Sequence, residues 1–202
     1  VLIGAVAIWW NFRAGRVTTP PVTPPPVTSS SHKAEPVVTL AKNLEIPWAL
    51  DFLPGRSFGS AQDKSIIFTE RPGRVRLYDA EQGLVSEPLL TIDEVAASGE
   101  GGLLGIAVHP DFSKNSFVYV YYSYDRGSGL ANKVVRYKLE GRRLTFNHVI
   151  LDDIPAAGIH DGGRIKFGPD GLLYITAGDA AQPELAQDKN YLGGKILRVK
   201  DE

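Results

Sequence analysis

The feature that most constrains this chain is a pattern that occurs three times. Ala49-Leu50-Asp51-Phe52-Leu53-Pro54 resembles Ile106-Ala107-Val108-His109-Pro110-Asp111 and Ile165-Lys166-Phe167-Gly168-Pro169-Asp170. The prolines at 54, 110 and 169 lie 56 and 59 residues apart. After each copy comes an apolar, β-branched or aromatic run: Ile66–Thr69, Val118–Tyr121 and Leu173–Thr176. After each run comes a strand-like stretch bearing a basic residue: Arg74–Tyr78, Lys133–Tyr137 and Lys195–Val199. Short strands punctuated by Gly, Pro and Asp read as antiparallel sheet. A multi-strand unit repeating every ~40–50 residues is the mark of a propeller blade. The longer period here predicts longer loops. One such sheet cannot bury both of its faces, so blades stack around an axis. The expectation is therefore an all-β chain, a β-propeller with about three blades between residues 37 and 202 and no long helix over 106–137. A β-sandwich would leave the repeated order unexplained. Known propellers carry about four to eight blades, so further blades are expected beyond this chain.

Two connections differ between the repeats. Phe167-Gly168-Pro169-Asp170-Gly171-Leu172 has the residue types of a tight hairpin. The matching connection in the first repeat is stretched through Gly55–Lys64, which reads as a surface-loop insertion of low thermodynamic cost.

The first 36 residues cannot belong to that sheet. Val1–Phe12 is apolar apart from Asn11 and is followed by Arg13 and Arg16. It is shorter than the ~20 residues a spanning helix needs. With no Met anywhere in the chain, it reads as a truncated membrane anchor or signal segment, the anchor being preferred. Residues 13–36 form a Pro/Thr/Ser-rich linker, with six of the chain's 14 prolines between residues 17 and 36. Such sequence adopts extended polyproline II and buries too little to fold. An extracytoplasmic, membrane-attached domain is the expectation, with His32 idle in the spacer.

Composition removes several kinds of chemistry. Lys and Arg number 22 against 23 Asp and Glu, with no basic stripe, so no nucleic-acid partner is expected. Cysteine is absent, which excludes disulfides, thiolate metal sites and cysteine nucleophiles.

Three glycine-rich polar stretches interrupt the strands: Ser98–Gly105, Gly158–Arg164 and Thr176–Ala181. Propeller loops at one end surround the mouth of the central channel, and glycine lets backbone approach a flat ligand closely. Glu100, His160 and Asp179 could converge there. His160 is the candidate general base, since imidazole titrates near neutrality. Asp179 could fix its tautomer. His109 reads as a structural turn residue, and His148 as exposed on a strand. The glycines are not a phosphate loop, because the strand–helix context is absent. Asp152-Asp153 and Asp93-Glu94 read as solvated turns, and no calcium-loop or His-x-x-x-His spacing is present. Tyr119, Tyr121, Tyr122 and Tyr124 read as packing between blades.

Five stretches in order carry a resemblance to a known family: Ile46–Pro54, Thr69–Val75, Gly99–Phe112, His160–Gly171 and Leu192–Arg198. Together they resemble the glucose/sorbosone dehydrogenases, the soluble pyrroloquinoline quinone (PQQ)-dependent aldose dehydrogenases. The resemblance implies a six-bladed propeller with PQQ across the channel mouth, held by calcium and basic residues. It implies that His160 removes the C1 hydroxyl proton of an aldose while hydride passes to the quinone, and that an external acceptor then takes the electrons. Asp179 falls on the acid that orients the base, and Glu100 on a polar residue beside the quinone. Ile159 stands where the best-known glucose oxidisers carry an aspartate that contacts sugar. Most calcium ligands and the Arg, Asn and Lys contacts to PQQ fall C-terminal to Glu202 in the family, so no metal ligand is expected in this chain. The alternatives are a non-catalytic sugar- or protein-binding propeller and a propeller lactonase. The lactonase would want a carboxylate cluster around a divalent metal.

Overall fold

A computed structural model of the chain describes residues 37–54 and 65–201. The N-terminal segment, the proline-rich linker and the expected insertion at Gly55–Lys64 lie outside the described residues.

The sequence alternates apolar and polar residues over short runs, and these runs become three antiparallel sheets. The first holds β1 (Pro47–Leu53), β2 (Ser65–Glu70) and β3 (Arg74–Asp79), with the short β4 (Gly83–Leu84) and β5 (Leu90–Thr91) both paired to β3. The second is a four-stranded meander of β6 (Leu103–Val108), β7 (Phe117–Asp125), β8 (Leu130–Glu140) and β9 (Arg143–Pro155). The third runs β10 (Gly162–Phe167), β11 (Leu173–Ala177) and β12 (Lys195–Val199). The only helical pieces among the described residues are a single turn, α1 (Phe112–Asn115), and a 3₁₀ segment, Pro183–Gln187. The three repeats are three consecutive propeller blades, and the expected strand order is realised in each. No described helix is long and apolar enough to cross a membrane.

Strand alternation in the middle blade builds both interfaces. Val118, Val120, Tyr122 and Tyr124 of β7 pack with Leu53, Ile67, Val75 and Leu77 of the first sheet. Tyr119 and Tyr121, on the other face of the same strand, pack with Ile165, Leu173 and Ile175 of the third. The tyrosines are thus inter-blade packing, as expected from their spacing. A lone blade cannot bury both of its faces, and the first sheet keeps an apolar one. There β1 presents Trp48, Leu50 and Phe52, each about half exposed, an apolar face of the kind the adjacent blade covers in a closed ring.

Each innermost strand carries a bulge at the same level. The pairing register shifts between Pro47 and Leu50, between Leu103 and Ile106, and between Gly162 and Ile165. An extra residue there shifts the alternation, so Leu103 and Ile106, three residues apart, enter one core while Leu104 and Ala107 enter the other. The bulges in β6 and β10 sit where those strands leave the glycine-rich loops, and they set the direction in which the loops enter the sheet.

Candidate active site

Chain direction brings the three glycine-rich stretches to one end. The loop with Glu100 leads into β6, and the loop with His160 leads into β10. β11 runs antiparallel to β10, so its C-terminal end, followed by Asp179, returns to the same level. The structure brings together all three residues expected there.

The contacts are direct. The backbone N–H of His160 donates to Glu100 Oε2 at 2.7 Å. His160 Nδ1 lies 2.8 Å from Asp179 Oδ1. Pairing with a carboxylate places the ring proton on Nδ1, which leaves the Nε2 lone pair free. The imidazole is 55% exposed and the Asp179 side chain 22%, so the pair opens towards solvent from a partly covered orienting acid.

The local backbone explains the glycines. His160 itself has φ 62°, in the left-handed region, as do Ala180 at 51° and Ala181 at 59°. Non-glycine residues rarely adopt this conformation, and such strain gathers at functional sites. It is held by Ala180 N–H donating to His160 O at 3.2 Å. A Cβ on Gly178 would fall 1.8 Å from that same His160 oxygen, so only glycine permits the approach. Gly99, at φ +57°, stands in the same relation to Gly158, whose oxygen would lie 2.0 Å from an added Cβ. Beside it, Glu100 N–H donates to Gly158 O at 3.0 Å, joining the two loops backbone to backbone. Asp179 is fixed in turn: Tyr191 donates its hydroxyl to the Asp179 carbonyl, and Ala181 N–H donates to Asp179 Oδ1.

Several residues that shape this site had no signature of their own. Arg71, at the turn after β2, donates from Nη1 to Gly99 O at 2.6 Å and so holds the Glu100 loop from the neighbouring blade. Asp161, next to His160, is buried, with its carboxyl bonded by Asn132 and by the Ala157 N–H. Burial pushes the Asp161 carboxyl above the usual range and the Glu100 charge adds to this, while those two hydrogen bonds and His160 oppose it. The signal available in sequence was a carboxylate between His160 and two glycines.

The remaining candidates fall elsewhere. His109 lies at the opposite end of the blades and is fully bonded. His148 is exposed on β9, paired in register with Arg136. Asp152 and Asp153 are not in a turn, as their spacing had suggested. They sit within β9 beside a register shift, where Tyr124 donates its hydroxyl to Asp152 at 2.5 Å. Glu94 is bonded to Tyr122 and Lys133. No group of three or more His, Asp or Glu among the described residues could hold a metal ion. Ile159 is about half exposed beside the base. Between the innermost strands lies a cleft of about 390 Å³, lined in part by Asp51, Arg164 and Lys166.

The architecture is that of a β-propeller whose loops bring Glu100, His160 and Asp179 together, and comparison with known proteins identifies its family. The family model "Glucose / Sorbosone dehydrogenase" matches residues 44–202, so the chain belongs to that family. It is 34% identical over 174 residues to the aldose sugar dehydrogenase YliI of Escherichia coli, covering 82% of this chain and 44% of that protein. It superposes on the PQQ-bound aldose sugar dehydrogenase of Streptomyces coelicolor with a TM-score of 0.70 at 36% identity, covering 82% of this chain and 47% of the other. Human Hedgehog-interacting protein is 32% identical over 130 residues, covering 56% of this chain and 19% of that one. The chain thus spans less than half the length of these relatives.

Proposed function

We propose that the full-length protein oxidises the C1 hydroxyl of aldose sugars to lactones, with PQQ as the hydride acceptor and His160 as the general base. The observation that carries this reading is the His160–Asp179 pair, with Nδ1 bound to the acid and the ring half exposed at the channel mouth.

The donor set suits a group bound beside the base. Glu100 is exposed and uses Oε2 to hold the His160 N–H. Its loop is held by close glycine contacts, Gly99 against Gly158 and Gly102 against Arg71, which fix where its carboxylate stands. Glu100 and the glycine loops would hold one side of PQQ. The cofactor would supply a two-electron acceptor for the C1 hydride. The protein's own part is a proton transfer. His160 Nε2 takes the proton of the sugar C1 hydroxyl as the C1–H electron pair leaves, and the C1–O bond becomes the lactone carbonyl. Asp179 keeps the correct tautomer and stabilises the imidazolium that forms. Calcium, which the resemblance also implies, finds no ligand cluster among the described residues, and no step is drawn through it. The apolar start of the chain and its proline-rich spacer support a domain held outside the cytoplasm at a membrane, passing electrons to an external acceptor.

Full-length protein reconstituted with PQQ and calcium, assayed by dye reduction on a panel of aldoses, tests the reading. Saturable turnover with at least one aldose is expected. A second reading, a non-catalytic binding propeller, is supported by the likeness to Hedgehog-interacting protein. Its forecast is PQQ-independent ligand binding with no dye reduction on any sugar.

A further inference from the structure

Three polar side chains are buried under the two loops that carry Glu100 and His160. Ser123 on β7 is 1% exposed, Asn132 on β8 is 0% exposed, and Asp161 before β10 is 1% exposed. Ser123 and Asn132 face each other in the β7–β8 register. Buried polar groups cost free energy unless bonded, and apolar residues of the same size would serve packing as well. Their presence therefore asks for a use beyond filling space.

They form one directed chain. Gly102 N–H, at the end of the Glu100 loop, donates to Ser123 Oγ at 3.2 Å. The Ser123 hydroxyl donates to Asn132 Oδ1 at 2.6 Å. Asn132 Nδ2 donates to Asp161 Oδ1 at 3.2 Å and to Pro155 O at 3.0 Å. Asp161 Oδ1 also accepts from Ala157 N–H at 3.2 Å. Only one orientation of the Asn132 amide satisfies this pattern: its oxygen meets a hydroxyl hydrogen, and its two N–H groups meet two acceptors. The Asp161 carbonyl is held as well, by the Tyr121 hydroxyl at 2.9 Å. One end of the chain of bonds grips the Glu100 loop and the other grips the Ala157–Asp161 loop, on either side of the 2.7 Å contact between His160 N–H and Glu100.

We propose that Ser123, Asn132 and Asp161 are positioning residues, a buried relay that sets the spacing between Glu100 and His160. The inference rests on the proposed sugar oxidation for its kinetic consequence but not for its structural one. Catalytic geometry tolerates little error, and a misplacement of ~1 Å costs about 100-fold. Bonding through the strands of the middle blade gives that precision to residues on loops. The relay needs a carbonyl-type oxygen at position 161, not a charge. Asparagine there presents the same Oδ1 to Asn132 and Ala157.

The test uses the full-length protein and begins with Ser123→Ala, which removes one oxygen and touches neither His160 nor Ala157. Amide hydrogen exchange at His160 and Ala157 should accelerate about tenfold, the worth of roughly one hydrogen bond. With PQQ bound, kcat should fall about 10–100-fold while KM stays within about twofold. Asp161→Ala should do the reciprocal, exposing the Gly102 amide to exchange, and Asp161→Asn should recover most of that loss. If Asp161→Ala does not fold, Ser123→Ala and Asp161→Asn still decide. Exchange changes confined to Gly102 in Ser123→Ala, or no recovery with Asp161→Asn, would overturn the relay. If the wild type reduces no dye with any aldose, the functional reading fails and the exchange measurements still judge the relay.

Discussion

Two histidine–aspartate pairs stand at opposite ends of the same blades, and only one of them is free to react. His109, in the turn after β6, donates from Nε2 to Asp201 Oδ2 at 3.0 Å. Its Nδ1 accepts from the Asp111 N–H at 2.9 Å and from Asn115 Nδ2 at 2.8 Å. Both ring nitrogens are spent, the side chain is 15% exposed, and the ring packs edge-on against Phe167 at 5.1 Å. Asp201 also accepts the Tyr119 hydroxyl at 2.9 Å, and its backbone carbonyl accepts from Arg136. This pair pins the chain after β12 to the middle blade. His160 has one nitrogen bonded to Asp179, a ring more than half exposed, and a strained backbone held by glycine contacts. The same two residue types make a rivet in one place and, in the proposed reaction, a base in the other. What separates them is the valence left unsatisfied, which depends on neighbours distant in sequence.

The largest effect expected from this contrast is at His160. If the full-length protein carries out the proposed oxidation, His160→Ala should lower its turnover by about 10²–10⁴-fold, the range for losing a general base, with PQQ binding largely intact. Asp179→Asn should cost less, since Asp179 orients the ring and does not transfer the proton. Steady-state dye reduction on folded, cofactor-loaded protein measures both. Turnover per folded molecule unchanged in His160→Ala would make it a loop residue and erase the distinction between the two pairs.

At the other end the expected loss is in stability. His109→Ala removes three hydrogen bonds of a largely buried ring and strips Asp201 of a donor. Unfolding free energy should drop by about 1–3 kcal/mol, with kcat unaltered. Chemical denaturation paired with the same dye assay checks this. A kcat loss matching that of His160→Ala would mean that the far end communicates with the mouth.

Legibility in the sequence followed how local each determinant is. The strands could be read because alternation reports burial within a few residues, as in Val118–Tyr124. The tight connection after Phe167 could be read because Pro169, Asp170 and Gly171 are turn residues. In the structure Gly171 has φ 76° and donates its N–H to Gly168 O at 3.0 Å. The outer strand β9 was foreseen only around His148, not over its full length from Arg143 to Pro155. Phe146, Asn147 and His148 are exposed, so no apolar rhythm marks it. The bulges left no trace either, since an extra residue in β6 looks like one more leucine. His160 and Asp179 were found through their glycine settings and the family resemblance, although they meet across 19 residues. Ser123 and Asn132 were invisible, because a buried polar residue differs from an exposed one only in its contacts. The role of His109 needed Asp201, 92 residues away.

The smallest effect expected lies on the rim of the mouth, where charges are closed on one another. Glu94 accepts the Tyr122 hydroxyl at 2.5 Å and pairs with Lys133 at 2.9 Å, and the Lys133 ammonium lies 3.9 Å from the centre of the Tyr124 ring. Burial pulls the Glu94 carboxyl upward, but Tyr122 and Lys133 outweigh it and hold the carboxyl below its ordinary value. A carboxylate with a lowered folded-state pKa stabilises the fold above its unfolded pKa and loses that contribution as pH falls through the folded one. The Glu94 side chain is 52% exposed, so solvent screens the pair, and its worth at neutral pH should be under about 1 kcal/mol. Glu94→Gln should therefore destabilise slightly at neutral pH. The two proteins should converge in stability as acid protonates Glu94, and added salt should narrow the gap at neutral pH. Turnover should not change, because Glu94 is tied to the sheet and makes no hydrogen bond to Glu100, His160 or Asp179. Urea titrations of both proteins across the acid range make the measurement. Parallel stability–pH curves would show that this ion pair contributes nothing, while a fall in kcat would extend the reactive region outward from His160 to the rim.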